Sequence, residues 1–295
     1  VAPHPHEDLV ALGGNTGDLS GWNRILMVRP SDATLVAEFD ARGAFVRKLA
    51  WSGDASVLLA VYEGENAVRA FGREGQLLYE ARLRTPSTAL SVAGDRVVAA
   101  AADGQIIVLT ARAGKVTETG RLQRPDRSLA SVALSPDGQR LAIGYRLEDS
   151  AVEILALRDG SVERSLALPR LAAGSIQNVA WSLDGRSIYA AGRGYESAPD
   201  QVAIFRYDAA SGSLAARVRA ARDSILELEP MADGRLAFGA FDGSWGIIDR
   251  DAVVLESRGE LVDLRGADKL RISESGRAAS WADDGDGRPS RFDFD

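Results

Sequence analysis

Five segments of this 295-residue chain share one pattern, in which an apolar strand, an aspartate-bearing turn and a second apolar strand rich in small residues follow one another. The shared aspartates are Asp54, Asp95, Asp137, Asp184 and Asp233. They recur roughly every 40 to 50 residues, and a strand-built unit repeated at such a period indicates a repeat fold. We therefore expect these aspartates to be structural turn residues on one rim of the fold.

Each repeat continues beyond its first two strands. After the strand at 57–61 come a turn, the strand 67–71, a Gly-containing turn and the strand 77–80. Short strands separated by Gly, Asp and Asn turns are typical of an antiparallel meander, and no helical period is sustained. The sequence predicts an all-β fold, a β-propeller of four-stranded antiparallel blades. Seven blades fit best, and six blades or part of a longer array are the alternatives.

We predict a single propeller domain over residues 1–295. The expected blades span approximately 8–42, 44–82, 87–120, 129–167, 176–219, 224–258 and 268–295. The first is expected to lack its innermost strand and the last its outermost strand. Because a ring must cover its free strand edges, these two incomplete blades suggest a chain cut from a longer protein.

Composition excludes several classes of function. A net charge of −7 and a pI near 5.1 argue against binding to nucleic acid or to an anionic membrane. The absence of cysteine excludes disulfides, thiolate catalysis and cysteine zinc sites. We expect a cytoplasmic protein; a periplasmic or exported one is the alternative, since a cysteine-free chain that begins at Val1 fits either compartment.

The turns Ser135-Pro136-Asp137-Gly138 and Ser182-Leu183-Asp184-Gly185 each follow a Val-Ala-apolar strand. This pattern resembles WD-repeat and WD-like propellers over roughly residues 44–282. The resemblance implies a rigid ring that serves as a platform for partner proteins. The chain departs from that family because no repeat has its Gly-His dipeptide or a strand ending in Trp-Asp. The chain is similar to divergent, bacterial-type members of the family. We do not expect it to contain the family's buried His–Asp hydrogen-bond network.

The sequence offers no catalytic constellation. The only histidines, His4 and His6, are two potential ligands at an end where flanking prolines predict disorder. The acidic cluster Asp283, Asp284 and Asp286 does not match the twelve-residue calcium loop. We therefore predict no catalytic residue, no metal and no cofactor. Four residues of inner strands are expected to line the channel: Lys48, Asn178, Glu227 and Glu229.

Trp51 and Trp181 end inner strands and are expected to fill gaps between blades. Charge is patterned on the loops: turns between second and third strands are acidic, and blade-to-blade connections are basic. In a propeller both sets emerge on one rim, called the loop face below. We predict a protein or peptide partner there, where electrostatic complementarity selects it. The longest loop of a whole blade spans 193–200, and the predicted contact residues are Arg124, Arg127, Tyr195, Glu196 and Arg222.

These features predict a non-catalytic interaction scaffold or recognition module, the propeller part of a larger bacterial protein. Two alternatives remain open. One is a regulatory or sensor propeller of a fused or partner protease, such as a caspase-like enzyme. The other is a propeller hydrolase or lyase that uses channel carboxylates.

Overall fold

The computed structural model describes residues 1–14, 23–41, 45–63, 65–124, 127–146, 151–167, 176–192, 202–221, 223–241, 243–251, 253–258, 268–272, 278–282 and 289–293. This described part of the chain contains β-strands and no helix. The strands form six four-stranded sheets and one three-stranded sheet, numbered I to VII along the chain.

The strands of the first four sheets have the following bounds. Sheet I contains β1 (Ala2–Pro3), β2 (Val10–Leu12), β3 (Arg24–Arg29) and β4 (Thr34–Asp40). Sheet II contains β5 (Phe45–Trp51), β6 (Leu58–Glu63), β7 (Ala67–Phe71) and β8 (Leu77–Arg82). Sheet III contains β9 (Ser87–Ala93), β10 (Arg96–Ala101), β11 (Gln105–Arg112) and β12 (Lys115–Gln123). Sheet IV contains β13 (Leu129–Leu134), β14 (Arg140–Tyr145), β15 (Ala151–Ala156) and β16 (Val162–Ala167).

The remaining sheets continue the series. Sheet V contains β17 (Ile176–Trp181), β18 (Ser187–Gly192), β19 (Val202–Asp208) and β20 (Leu214–Ala221). Sheet VI contains β21 (Ile225–Pro230), β22 (Leu236–Ala240), β23 (Trp245–Ile248) and β24 (Val254–Arg258). Sheet VII contains β25 (Asp268–Ile272), β26 (Ala278–Ala282) and β27 (Pro289–Asp293). Within each sheet the strands lie in chain order, and every pairing is antiparallel. The all-β class and the four-stranded antiparallel blades are thus confirmed, whereas the number of blades stays a prediction.

Sheet I corrects one expectation. Its innermost strand is present as the two-residue β1, in which Ala2 pairs with Ala11 and Pro3 with Val10. So short a strand carries no alternating pattern, which is why the sequence did not predict it. Pro3 fits because β1 forms the edge of its sheet, where a missing N–H breaks no ladder.

Burial falls from the inner to the outer strands of a sheet. The second strand β10 is almost wholly buried, whereas the fourth strand β12 alternates between exposed and partly buried positions. The core lies between neighbouring sheets: Leu59 of sheet II and Val97 and Ile107 of sheet III belong to one apolar cluster. Strands packed on both faces need continuous apolar runs with small residues, which explains the Ala-rich second strands.

The first strands of consecutive sheets contact one another from β1 through β5, β9, β13 and β17 to β21. Two buried indoles strengthen these contacts. Trp51 Nε1 donates to the Ala2 carbonyl at 3.2 Å, and Trp181 Nε1 donates to the Ala133 carbonyl at 3.1 Å. The prediction that these two tryptophans fill gaps between blades is confirmed.

The aspartate turns lie on the rim opposite the loop face, and their hydrogen bonds stabilise it. Asp137 accepts hydrogen bonds from the Ser135 hydroxyl and the Gln139 N–H, and Gly138 takes a φ of 67° that favours glycine. Asp54 also accepts from the backbone N–H of Ala113 in the next sheet, at 2.7 Å. These bonds hold the pKa of the Asp54 carboxyl well below its usual range. Both aspartates therefore act as structural turn residues.

Candidate functional site

The described residues enclose a cavity of about 1060 Å³. The first strands of sheets I to VI all contribute to its wall. Lys48, Asn178, Glu227 and Glu229 line it, as the sequence predicts. Because inner strands from six sheets surround it, this cavity is the central channel of the fold.

The first strands of sheets II to VI share an irregularity near the loop face. In each, the pairing register to the second strand shifts, so that one residue has no opposite partner. These β-bulges fall at one repeat position, seven residues before the shared aspartate: Arg47, Thr88, Ala130, Gln177 and Leu226. All five line the channel. A bulge redirects side chains locally, and here the five bulges together form the channel mouth on the loop face.

Charge in the channel is concentrated on β5 and β21. Lys48 Nζ lies 3.4 Å from Glu227 Oε1, and both side chains are about half exposed (43% and 56%). Glu229, two residues further along β21, makes no hydrogen bond or ion pair with any described residue. The Glu229 side chain is exposed to the channel; partial desolvation by the surrounding wall, together with the nearby Glu227, raises the pKa of Glu229, while Lys48 opposes that shift. The carboxylate is reached by water, but protein surrounds it.

Two of the predicted contact residues share one partner inside the protein. Arg124 Nη2 lies 2.6 Å from Glu153 Oε2, and Arg127 Nη1 lies 2.9 Å from Glu153 Oε1. The Tyr145 hydroxyl donates to the same carboxylate at 2.6 Å, and the Arg127 guanidinium stacks on the Tyr145 ring. Burial, with the Glu153 hydrogen bond next, raises the pKa of Tyr145 to about 12. Glu153 thus fixes the connection between sheets III and IV.

Sheet II repeats this arrangement with the opposite charge. Arg69 occupies the repeat position of Glu153, and its guanidinium pairs with Glu65 and Glu80, both at 2.9 Å, and lies over the Tyr62 ring. Both networks are buried polar clusters without histidine. Sequence reasoning did not single out Arg69 or Glu153; the available signal was a charge within an otherwise apolar third strand.

Some of the charged loop residues that the sequence predicts to face a partner pair with each other within the protein. Arg84, on the connection from sheet II to sheet III, pairs with Asp103 of an acidic turn at 3.5 Å. By contrast, the exposed side chains of Arg47 and Arg146 form no ion pair with a described residue, and both line the channel mouth. Both charges are therefore available to a partner.

Several predicted residues lie outside the described residues, namely Tyr195, Glu196, Arg222, the loop 193–200 and the acidic cluster Asp283, Asp284 and Asp286. Their assignment as contact residues, or as an acidic turn, stays a prediction. Within the described part, no group of three or more His, Cys, Asp or Glu residues could hold a metal ion.

The amino-terminal segment packs against sheet II, which corrects the expectation of disorder. His4 is buried, with its ring edge-to-face against Trp51 at 4.9 Å. Its Nδ1 accepts the backbone N–H groups of His6 and Glu7 at 3.3 and 3.1 Å. This ring nitrogen is therefore already occupied, and desolvation lowers the pKa of His4 from 6.5.

Comparison with known proteins supports the fold. No protein-family model matches the chain. Among solved structures, it is similar to a chain of the "Crystal Structure of Mitotic Checkpoint Complex", with 19% sequence identity and a TM-score of 0.67. The match covers 97% of this chain and 84% of that chain, and many other chains of solved structures match as well. At this identity the likeness concerns the fold alone, and it is consistent with a β-propeller. The described residues include no helix that could cross a membrane.

Proposed function

We propose that this protein is a non-catalytic interaction module whose loop face binds a protein or peptide. The observation that carries the proposal is the ring of five aligned bulges, which gathers side chains at the channel mouth on that face. The similar solved chain belongs to the structure of a complex, which supports a protein partner. A cytoplasmic location, and the absence of nucleic-acid and membrane partners, stay predictions.

The proposed contact surface keeps Arg124, Arg127, Tyr195, Glu196 and Arg222 and adds Arg47 and Arg146. Arg124 and Arg127 retain partly exposed side chains while Glu153 holds them in place. A cation that is already positioned loses little conformational freedom when a partner docks. Arg47 and Arg146 form no ion pair with another described residue, so their charges are available for electrostatic selection.

The enzyme alternative has one observation in its favour, the raised pKa of Glu229 beside Glu227 in the channel. Two neighbouring carboxylates can shift each other's pKa values, which is one way in which enzymes obtain a general acid or base. Glu227 is already ion-paired with Lys48, however. The described residues of the channel wall add no pair of a nucleophile and a base. We therefore favour binding over catalysis.

The test is capture of partners from a lysate of the source organism, with the purified chain as bait. The double variant Arg47→Glu/Arg146→Glu reverses two unpaired charges on the loop face. Arg158→Glu is the matched control, since Arg158 is exposed on the opposite rim beside its sequence neighbour Asp159. We expect the double variant to lose specific partners by about tenfold or more, and the control to retain them. Equal capture by both variants and the wild type would overturn the proposal.

A further inference from the structure

The repeat places equivalent residues in layers around the channel. Six residues before each shared aspartate lie Lys48, Ala89, Ser131, Asn178 and Glu227. Four residues before it lie Ala50, Ser91, Ala133, Ala180 and Glu229. All ten line the same cavity. In this second layer Glu229 is the one large side chain among small ones, and it is exposed.

Glu229 is the unbalanced charge of this layer. The Lys48 ammonium forms its ion pair with Glu227 and acts on Glu229 without an ion-pair contact. Near the mouth, the bulge residue Leu226 also lines the channel, with 48% of its surface exposed. A nearby cation favours the ionised form of a carboxylate. The channel thus combines an unpaired negative charge, room beside it and an apolar side chain at the mouth.

We infer that the layer of Glu229 binds the cationic side chain of a Lys or Arg residue in the partner's docking segment. This inference rests on the proposed function. The ammonium or guanidinium group pairs with Glu229 in the space left by Ala50, Ser91, Ala133 and Ala180, and the aliphatic stem contacts Leu226. Charge-assisted hydrogen bonds of this type are the strong ones, and an arginine can form two to one carboxylate.

A metal ion fits this site less well. Calcium takes six to eight oxygen ligands, whereas the second layer provides one carboxylate, and the carboxylate of Glu227 is shared with Lys48. An organic cation needs one negative partner and uses the remaining volume for its stem. The geometry therefore favours a side chain of a partner over a free ion.

The experiment measures binding of the peptide acetyl-Gly-Arg-Gly-amide by NMR titration, with acetyl-Gly-Leu-Gly-amide as the uncharged probe. The wild type is compared with Glu229→Gln and with Glu163→Gln, a control at an exposed position of β16. We expect the arginine peptide to bind the wild type and the control, and Glu229→Gln to weaken it about tenfold or more. Unchanged affinity in Glu229→Gln overturns the inference, as does a lack of saturable binding to the wild type at millimolar peptide.

Two further measurements test whether Glu229→Gln remains folded and whether the site binds a metal ion instead. Glu229→Gln removes a carboxylate whose pKa is raised in the folded state, so its melting temperature at neutral pH should equal or exceed that of the wild type. Titration with calcium chloride alone tests the metal alternative, and Glu229-dependent calcium binding without arginine-peptide binding would overturn the inference. If Arg47→Glu/Arg146→Glu loses partners while the peptide result is negative, the proposed function stands and this inference fails.

Discussion

Lys48 Nζ lies 3.4 Å from Glu227 Oε1, although 179 residues separate the two in the chain. The pair joins the first strand of sheet II to the first strand of sheet VI across the channel. It therefore links distant repeats near the channel mouth. It also leaves Glu229 without an ion-pair contact to any described cation, although Lys48 acts on its charge from nearby.

The Lys48–Glu227 pair should contribute little to stability. Both side chains are about half exposed, and ion pairs of this kind contribute about 0 to 1 kcal/mol. A double-mutant cycle with Lys48→Met and Glu227→Gln, measured by urea unfolding, should give a coupling within that range at low salt. A coupling of several kcal/mol would show that the pair closes the ring rather than setting its charge pattern.

Glu153 should be important for stability. Its side chain is 9% exposed and holds two arginines and Tyr145. Glu153→Ala leaves Arg124 and Arg127 without their carboxylate, and loss of one partner from a buried pair costs roughly 3 kcal/mol or more. Urea unfolding measures this loss. The exposed Glu163→Ala is the control, and a similar loss there would contradict the assignment.

The same network changes how the predicted contact residues must be tested. Arg124→Glu/Arg127→Glu would place two carboxylates against the buried Glu153, and we expect a marked fall in melting temperature, because like charges in a buried site repel. Thermal unfolding followed by circular dichroism measures this fall. A melting temperature equal to that of the wild type would contradict the buried network.

Trp51 and Trp181 occupy equivalent repeat positions, but they should stabilise different strands. Trp51→Phe and Trp181→Phe each remove one indole hydrogen bond to a neighbouring first strand, at a cost of about 1 kcal/mol. Only Trp51 bonds to β1, so only Trp51→Phe should speed hydrogen exchange and proteolysis at residues 1–12. Equal exposure of this segment in both variants would argue against the role of Trp51.

Docking of the amino terminus should weaken in mild acid. The pKa of His4 is lowered from 6.5, chiefly by desolvation; Arg73 and His6 add to the shift and Glu7 opposes it. Between the folded pKa and 6.5 the unfolded chain binds more protons, so stability rises with pH there and is lost as pH falls below about 6.5. Hydrogen exchange of residues 2–12, measured from pH 7.5 to pH 5, tests this expectation.

Two variants test whether His4, rather than another titratable group, causes the pH dependence of hydrogen exchange. In His4→Asn the side-chain oxygen can still accept the N–H groups of the turn, but it does not titrate, so the pH dependence of exchange should largely disappear. In His6→Asn the dependence should persist. An unchanged dependence in His4→Asn would exclude His4 as its source.

The sequence predicts features that repeat and misses features that occur once. The five aspartate turns, the four strands per unit and the gap-filling of Trp51 and Trp181 follow from a pattern that recurs at the same position. The strand β1 was missed because two residues have no measurable periodicity. The charges of Arg69 and Glu153 were missed because each is paired by residues of other strands or loops, whose positions depend on packing.

The sequence by itself determines the all-β class, the blade pattern and which inner-strand residues line the channel, because strand alternation and turn chemistry are local. The tertiary structure decides which charges remain free. Arg124 and Arg127 are held by Glu153, and Lys48 pairs with Glu227, whereas Arg47, Arg146 and Glu229 form no ion pair within the part of the chain that the structure describes. Ion pairing depends on distances between residues of different repeats, and only the packed sheets establish those distances.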